Sequence, residues 1–195
     1  MNLKEMKYLV ILAGPSGVGK SHNGDLLMKR HPDRFVFSVS DTTRPLRPHE
    51  VEGKNYCRIT TEQFLANAEQ GLYIESEEVY PGIWYGTRRD KLEAIWDFGR
   101  TPLLDIDLYG ANKLRGIFGE LAIAIAMIPP SIETLEDWLR KRKTETEEAI
   151  KRRIAKAPQE IEAAKLWPHV IVSERSQKPI QEILEIITPV LKLPF

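Results

Sequence analysis

A lysine and a serine close a glycine-punctuated loop near the start of the chain, Gly14-Pro15-Ser16-Gly17-Val18-Gly19-Lys20-Ser21. The spacing is G-x-x-x-x-G-K-S, and its chemistry is the cradling of nucleotide phosphates. The glycines let the backbone wrap closely, so that successive N–H groups point inward at phosphate oxygens. Lys20 would reach the β- and γ-phosphates, and the Ser21 hydroxyl would ligate Mg2+. An apolar run precedes the loop and a helical stretch follows it, so the positive end of a helix dipole adds to the attraction. The motif is silent about which reaction follows.

Further along, Arg44 and Arg47 stand three apart in a proline-bounded loop, with Tyr56 beyond them. Guanidinium groups bind phosphate through forked, charge-assisted hydrogen bonds, and a tyrosine hydroxyl supplies a neutral donor. By themselves the two arginines read more readily as a solvated face than as a clamp. Asp105 ends an apolar run, as an acid that steadies a metal-bound water should, and Asp107 lies two residues on. In a continued strand both would point to one face. Residues 140–153 are densely charged: Arg140, Arg142, Lys151 and Arg153 alternate with Glu145, Glu147 and Glu148. That segment reads either as a lid over a phosphate site or as a solvated helix whose charges pair. His22, His31, His49 and His169 have no metal-ligand spacing.

The elements that must hold these groups follow from periodicity. Residues 8–13 are continuously apolar and bounded by glycine, which predicts a buried parallel strand. Residues 34–39, 101–106, 121–128 and 170–172 read as further strands, the run 121–128 being ended by Pro129-Pro130. Thr87 with Asp90 resembles a capping box ahead of Leu92, Ile95 and Trp96, and Ser131 with Thr134 opens another helix. Ile180, Ile183, Leu184, Ile187, Val190 and Leu191 form one apolar helical face. Strands alternating with helices predict an α/β fold of three layers, with a central parallel sheet covered on both sides. Residues 42–85 do not fit that layering and read as an insertion. Residues 140–153 read as a mobile, solvated helix pair.

Composition excludes several classes. The chain has 195 residues, 42% hydrophobic and 29% charged, and Lys+Arg and Asp+Glu both number 28. A net charge of zero gives no electrostatic ground for nucleic-acid binding. One cysteine, Cys57, allows no intrachain disulfide and fits a reducing cytoplasm. No apolar run is long enough to span a bilayer, and residues 1–7 lack the apolar stretch of a signal peptide. The chain is therefore expected to be cytoplasmic, as a monomer or homodimer.

Taken as a whole, the string from Ser38 through Ser40, Thr42, Thr43, Arg44, Arg47, Glu50 and Gly53 to Tyr56 resembles the signature of guanylate kinases, P-loop nucleoside monophosphate kinases. Tyr73-Ile74-Glu75, Trp84-Tyr85-Gly86-Thr87, Leu104-Asp105-Ile106-Asp107 with Gly110, Ile128-Pro129-Pro130-Ser131 and the block from Arg142 to Glu148 resemble later motifs of the same family, in order. The resemblance implies transfer of the γ-phosphoryl group of ATP to GMP, and to dGMP, with Mg2+. It implies a core of residues 1–39, 88–139 and 159–195, a mixed β GMP-binding subdomain at 40–87 and a helical lid at 140–158, all in one domain. Carried over by position, Gly14 to Ser21 bind ATP. Arg44, Arg47, Tyr56 and Tyr85 hold the GMP phosphate, and Ser40, Glu75, Thr87 and an aspartate read guanine. Asp105 is assigned with Ser21 to the metal and Asp107 to the acceptor. Lys20, Arg44, Arg142 and Arg153 carry the catalysis. The alternative is a catalytically weak module of the same family that only binds partners.

Departures from the family pattern gather on the donor side. His22 and Gly24 follow the loop, Trp138 stands where the family usually has an arginine near ATP, and Ser173-Glu174 replace Asn-Asp. Trp138 would either stack on adenine or pack in the core. Pro158 predicts a kink between lid and core, and Tyr80-Pro81-Gly82 lengthens a loop by about one residue. Guanine selection is therefore expected to be ordinary, and donor choice between ATP and GTP loose.

Overall fold

A computed structural model of the chain describes residues 7–193; residues 1–6, where a signal peptide was judged absent, and 194–195 lie outside the described residues. Five strands form a parallel sheet in the order β2 (Phe35–Phe37), β7 (Thr101–Ile106), β1 (Leu9–Ala13), β8 (Ala122–Ile128) and β9 (Val170–Val172). All five lie within the runs read from sequence. The continuous apolar character of β1 is explained by burial on both faces. Val10 and Leu12 pack toward Leu27 of α1 (Lys20–Arg30) and Ile180, Ile183 and Ile187 of α7 (Lys178–Leu191). Leu9, Ile11 and Ala13 pack toward Leu92 of α3 (Arg89–Asp97), Leu108 and Leu114 of α4 (Leu108–Phe118) and Ala164 of α6 (Glu147–Lys165). Each fully buried leucine or isoleucine contributes about 2 kcal/mol, so this sandwich anchors the loops at the strands' C-terminal ends.

A second sheet runs in the order β4 (Tyr56–Arg58), β3 (Ser40–Thr42), β6 (Ile83–Arg88) and β5 (Tyr73–Tyr80), parallel only between β3 and β4. Its outer face is closed by α2 (Thr61–Glu69), which Thr60 and Gln63 start with a reciprocal capping box. Phe64 of α2 stacks on Tyr73 at 4.6 Å and meets Trp84 at 5.7 Å. On β6, Trp84 and Gly86 face that aromatic cluster, so Tyr85 and Thr87 face the other way. On β5 simple alternation would put Glu75 beside Tyr73. A register irregularity between the two turns Glu75 to the inner face, where it meets Thr87.

The remaining helices, α5 (Ile132–Arg142) and α6, form a hairpin around Leu135, Leu139, Ile150 and Ala157, with Trp138 packed alongside. Ser131 caps α5 by accepting from the Thr134 amide, as expected.

Three expectations are corrected. Thr87 does not cap α3: the helix starts at Arg89 with no side-chain cap, because the Thr87 hydroxyl is committed to Glu75. Val190 is 39% exposed, lying off the buried stripe of α7. Residues 140–153 are solvated on one side only. Arg140 bridges Glu136 and Glu147 in solvent, but Glu145 and Arg153 face inward with side chains 5% and 12% exposed.

Candidate active site

The phosphate loop leaves β1 at Gly14, where φ is +141° and a Cβ would sit 2.1 Å from the Met127 carbonyl oxygen, so only glycine fits. Gly19 takes the left-handed conformation and starts α1. Lys20 Nζ donates to the Gly14 and Pro15 carbonyls at 2.8 and 3.2 Å, folding the lysine back across the loop opening. From the far side, the Ser173 hydroxyl donates to the Val18 carbonyl at 2.5 Å and Asn23 Nδ2 to the Gly19 carbonyl at 3.0 Å.

Lys20 Nζ lies 3.5 Å from the carboxylate of Asp105, which also accepts from the Ser21 hydroxyl. One hydroxyl and one carboxylate at the loop mouth are hard oxygen donors that suit Mg2+, which takes few protein ligands and fills its octahedron with phosphate oxygens and water. No group of three or more His, Cys, Asp or Glu that could hold a metal occurs among the described residues.

Across the cleft the inner face of the second sheet presents Arg44. Its guanidinium is forked onto Glu50 at 2.7 and 2.7 Å, donates through Nε to Tyr85 at 2.9 Å, and lies 4.9 Å from the Tyr56 ring. Arg47 reaches the same Glu50 at 3.1 Å. Burial alone would raise the Glu50 carboxyl, but hydrogen bonds from Arg44 and the Arg47 amide, with both cationic charges, hold it at about 2. Burial works against the charge on Arg44, and the Glu50 hydrogen bonds outweigh it, raising its pKa. Burial likewise raises the Tyr56 hydroxyl, which stays a neutral donor.

At the inner end stands Glu75, 7% exposed, accepting from Thr87 at 2.5 Å. Burial pushes its carboxyl up to about 7; the Thr87 hydrogen bond opposes this and the charge of Asp107 adds to it. Gly110 makes room, since a Cβ there would lie 2.7 Å from Glu75 Oε2. Asp107 is not part of a continued strand, as the sequence had suggested. Strand β7 ends at Ile106, and Asp107 caps α4 by accepting from the Tyr109 and Gly110 amides at 2.7 and 3.2 Å. Ser40 is buried on β3 beside this end.

One cleft joins these groups, lined by Gly14, Ser16, Gly17, Gly19, Lys20, Ser21, Ser40, Arg44, Arg47, Tyr56, Glu75, Tyr85, Asp105, Asp107, Arg142 and Arg153. Pro15 and Val18 contribute backbone carbonyls behind the loop, and Thr87 stands behind Glu75. Burial, with repulsion from Arg47, lowers the pKa of Arg142. Trp138 does not line the cleft; it packs with the α5–α6 cluster under the guanidinium of Arg175, 5.4 Å from its ring.

Sequence reasoning missed Val79, Tyr80, Ile106 and Glu160 in the lining. Glu160 pairs with Lys156 one turn away at 3.3 Å, a spacing visible in the sequence. Burial raises its carboxyl, opposed by Lys156 and Lys20. Tyr80 lies under Arg153 and Lys156, which no sequence pattern announces.

A family model described as guanylate kinase matches residues 6–189. The guanylate kinase of Nostoc sp. is 41% identical over 175 residues, covering 90% of this chain and 86% of that protein. The guanylate kinase of Synechococcus sp. is 40% identical over 181 residues, covering 93% and 82%. Among solved structures, the guanylate kinase from Anaplasma phagocytophilum is similar with a TM-score of 0.69 and 34% identity, covering 95% of this chain and 84% of that one.

Proposed function

The chain belongs to the guanylate kinase family, and from that premise we propose that it transfers the γ-phosphoryl group of ATP to GMP and dGMP, giving ADP and GDP or dGDP. The observation that carries this reading is the buried Glu75 carboxylate, held by Thr87, in the same cleft as the phosphate-loop lysine. Guanine offers adjacent N1–H and N2–H donors that one carboxylate accepts together, and adenine lacks that pair. A nucleotide without those donors would leave the buried Glu75 with only its Thr87 hydrogen bond, which is how such a site rejects it.

The acceptor is a phosphate oxygen already ionised near neutral pH, so no general base is required. Catalysis consists of positioning and charge neutralisation. Arg44, Arg47, Tyr56 and Tyr85 would hold the acceptor phosphate in line. Lys20 and the loop amides would hold the donor phosphates. Arg142 and Arg153 would neutralise charge on the transferring group and exclude water from it. Mg2+, held through Ser21 and Asp105, would supply Lewis-acid neutralisation of the donor phosphates.

A coupled assay of ADP release tests this with ATP, Mg2+ and each of GMP, dGMP, AMP, CMP, UMP and dTMP. Turnover confined to GMP and dGMP is expected. Tight GMP binding without turnover of any acceptor would contradict the kinase reading and indicate a binding module.

A further inference from the structure

The four arginines at the cleft mouth are not equivalent. Glu50 is shared by Arg44 and Arg47. A second carboxylate, Glu145, accepts from Arg47 Nη2 at 2.6 Å through one oxygen and lies 2.5 Å from Arg153 Nε through the other. The second contact is close but misaligned for a hydrogen bond. Arg142 lines the same cleft with no carboxylate in ion-pair contact among the described residues. Glu145 therefore bridges two parts of the molecule that the chain holds 98 residues apart, the loop after β3 and the start of α6.

The local backbone aims Glu145 inward. α5 ends at Arg142, Lys143 takes the left-handed conformation at φ 53°, and Thr146 restarts the chain as α6 by accepting from the Ala149 amide. Glu145 sits inside this four-residue link, with its side chain 5% exposed. Two residues on, Glu147 points outward to Arg140 in solvent.

We propose that Glu145 is a positioning residue for phosphoryl transfer: its carboxylate ties Arg47 to Arg153 and thereby couples the acceptor loop to the charged segment over the cleft. The inference rests on the kinase reading above. Its physical basis is charge. Arg47, Arg142 and Arg153 converge closely enough that burial, Arg47 and Arg153 all depress the Arg142 pKa. Without an anion between them the segment would be pushed away from the acceptor loop. Glu145 neutralises part of that repulsion and engages Arg153 through Nε. The outer nitrogens of Arg153 then remain for phosphoryl oxygens, with Nη1 meanwhile donating to Tyr80 at 3.3 Å. Arg142 is left for the transferring group alone. A purely structural ion pair would affect stability and leave the chemical step untouched.

The test is Glu145→Gln in the full chain, read in three ways. First, kcat is expected to fall by about 10- to 100-fold, the scale of misplacing a catalytic group by an ångström. Second, the GMP dissociation constant without donor should change less than about threefold, because Arg44, Tyr56 and Tyr85 still hold the phosphate. Third, spin labels at Leu65→Cys on exposed α2 and Lys151→Cys on exposed α6, in a Cys57→Ser background, should show a longer and broader separation than in the parent. A kcat within threefold of the parent would overturn the proposal, as would a loss of GMP affinity in step with kcat. Should the Gln variant fail to fold, Glu145→Asp carries the same test, because it keeps the charge but shortens the bridge. If the parent chain does not phosphorylate GMP at all, the kinase reading fails, while the label separation still decides whether Glu145 holds the two parts together.

Discussion

The proposed acceptor end and the proposed donor end of the cleft are built from different atoms. At the acceptor end side chains are committed in pairs: Thr87 to Glu75, Glu50 to Arg44 and Arg47, Tyr85 to Arg44. At the donor end the geometry belongs to the backbone, fixed by Gly14 and Gly19 and propped by hydrogen bonds to the loop's carbonyls. The residues that depart from the family pattern on the donor side have partners of their own. The Ser173 hydroxyl is bonded to Val18, Glu174 faces solvent within 3.8 Å of Lys178, and Trp138 lies under Arg175. Backbone amides bind any triphosphate, whereas discrimination between bases needs side-chain donors and acceptors. The two ends should therefore differ in selectivity.

The largest effect expected is on the donor side. Lys20→Met removes the charge that bridges the loop and should lower kcat by about 10²- to 10³-fold in the ADP-release assay. Next comes Glu75→Gln, which presents an amide to guanine in place of a carboxylate. It should cut kcat/KM for GMP by about 100-fold while leaving that for AMP within a few-fold, so that discrimination narrows by about the same factor.

Glu75 also predicts a pH dependence. Its folded pKa, about 7, lies above the ordinary 4.5, so the folded state binds the extra proton between those values. Stability should fall as pH rises from about 4.5 to about 7 and then level off. Denaturant titrations across that range should lose this component in Glu75→Gln.

Ser173→Ala is a smaller perturbation. It frees the Val18 carbonyl and should raise KM for ATP a few-fold while costing about 1 kcal/mol of stability; an unchanged KM would mean the loop needs no prop. Smallest is Lys143→Gly. A lysine held at φ 53° carries a strain that glycine lacks. The variant should raise the thermal midpoint by about 2 °C.

The parallel sheet was legible because each strand is a continuous apolar run, and the phosphate loop because glycine positions dictate its shape. The inner face of the second sheet was harder. Alternation along Tyr73-Ile74-Glu75 places Glu75 with the aromatic core, and only the register irregularity in β5 turns it into the cleft. Thr87 followed by Asp90 satisfies a capping pattern, yet a buried carboxylate is the stronger claim on its hydroxyl. Glu145 reads locally as one acid among bases, and nothing in its spacing shows that Arg47, 98 residues away, is its partner. Pairs of that kind arise from packing of distant segments, which periodicity does not encode.

One cleft is proposed to read the acceptor base strictly and the donor base loosely. A single crossed assay tests it: GMP and AMP as acceptors with ATP, then ATP and GTP as donors to GMP, each as kcat/KM. The account predicts an acceptor ratio above about 10³ and a donor ratio below about 10. A donor ratio as large as the acceptor ratio, or an acceptor ratio near one, would contradict it.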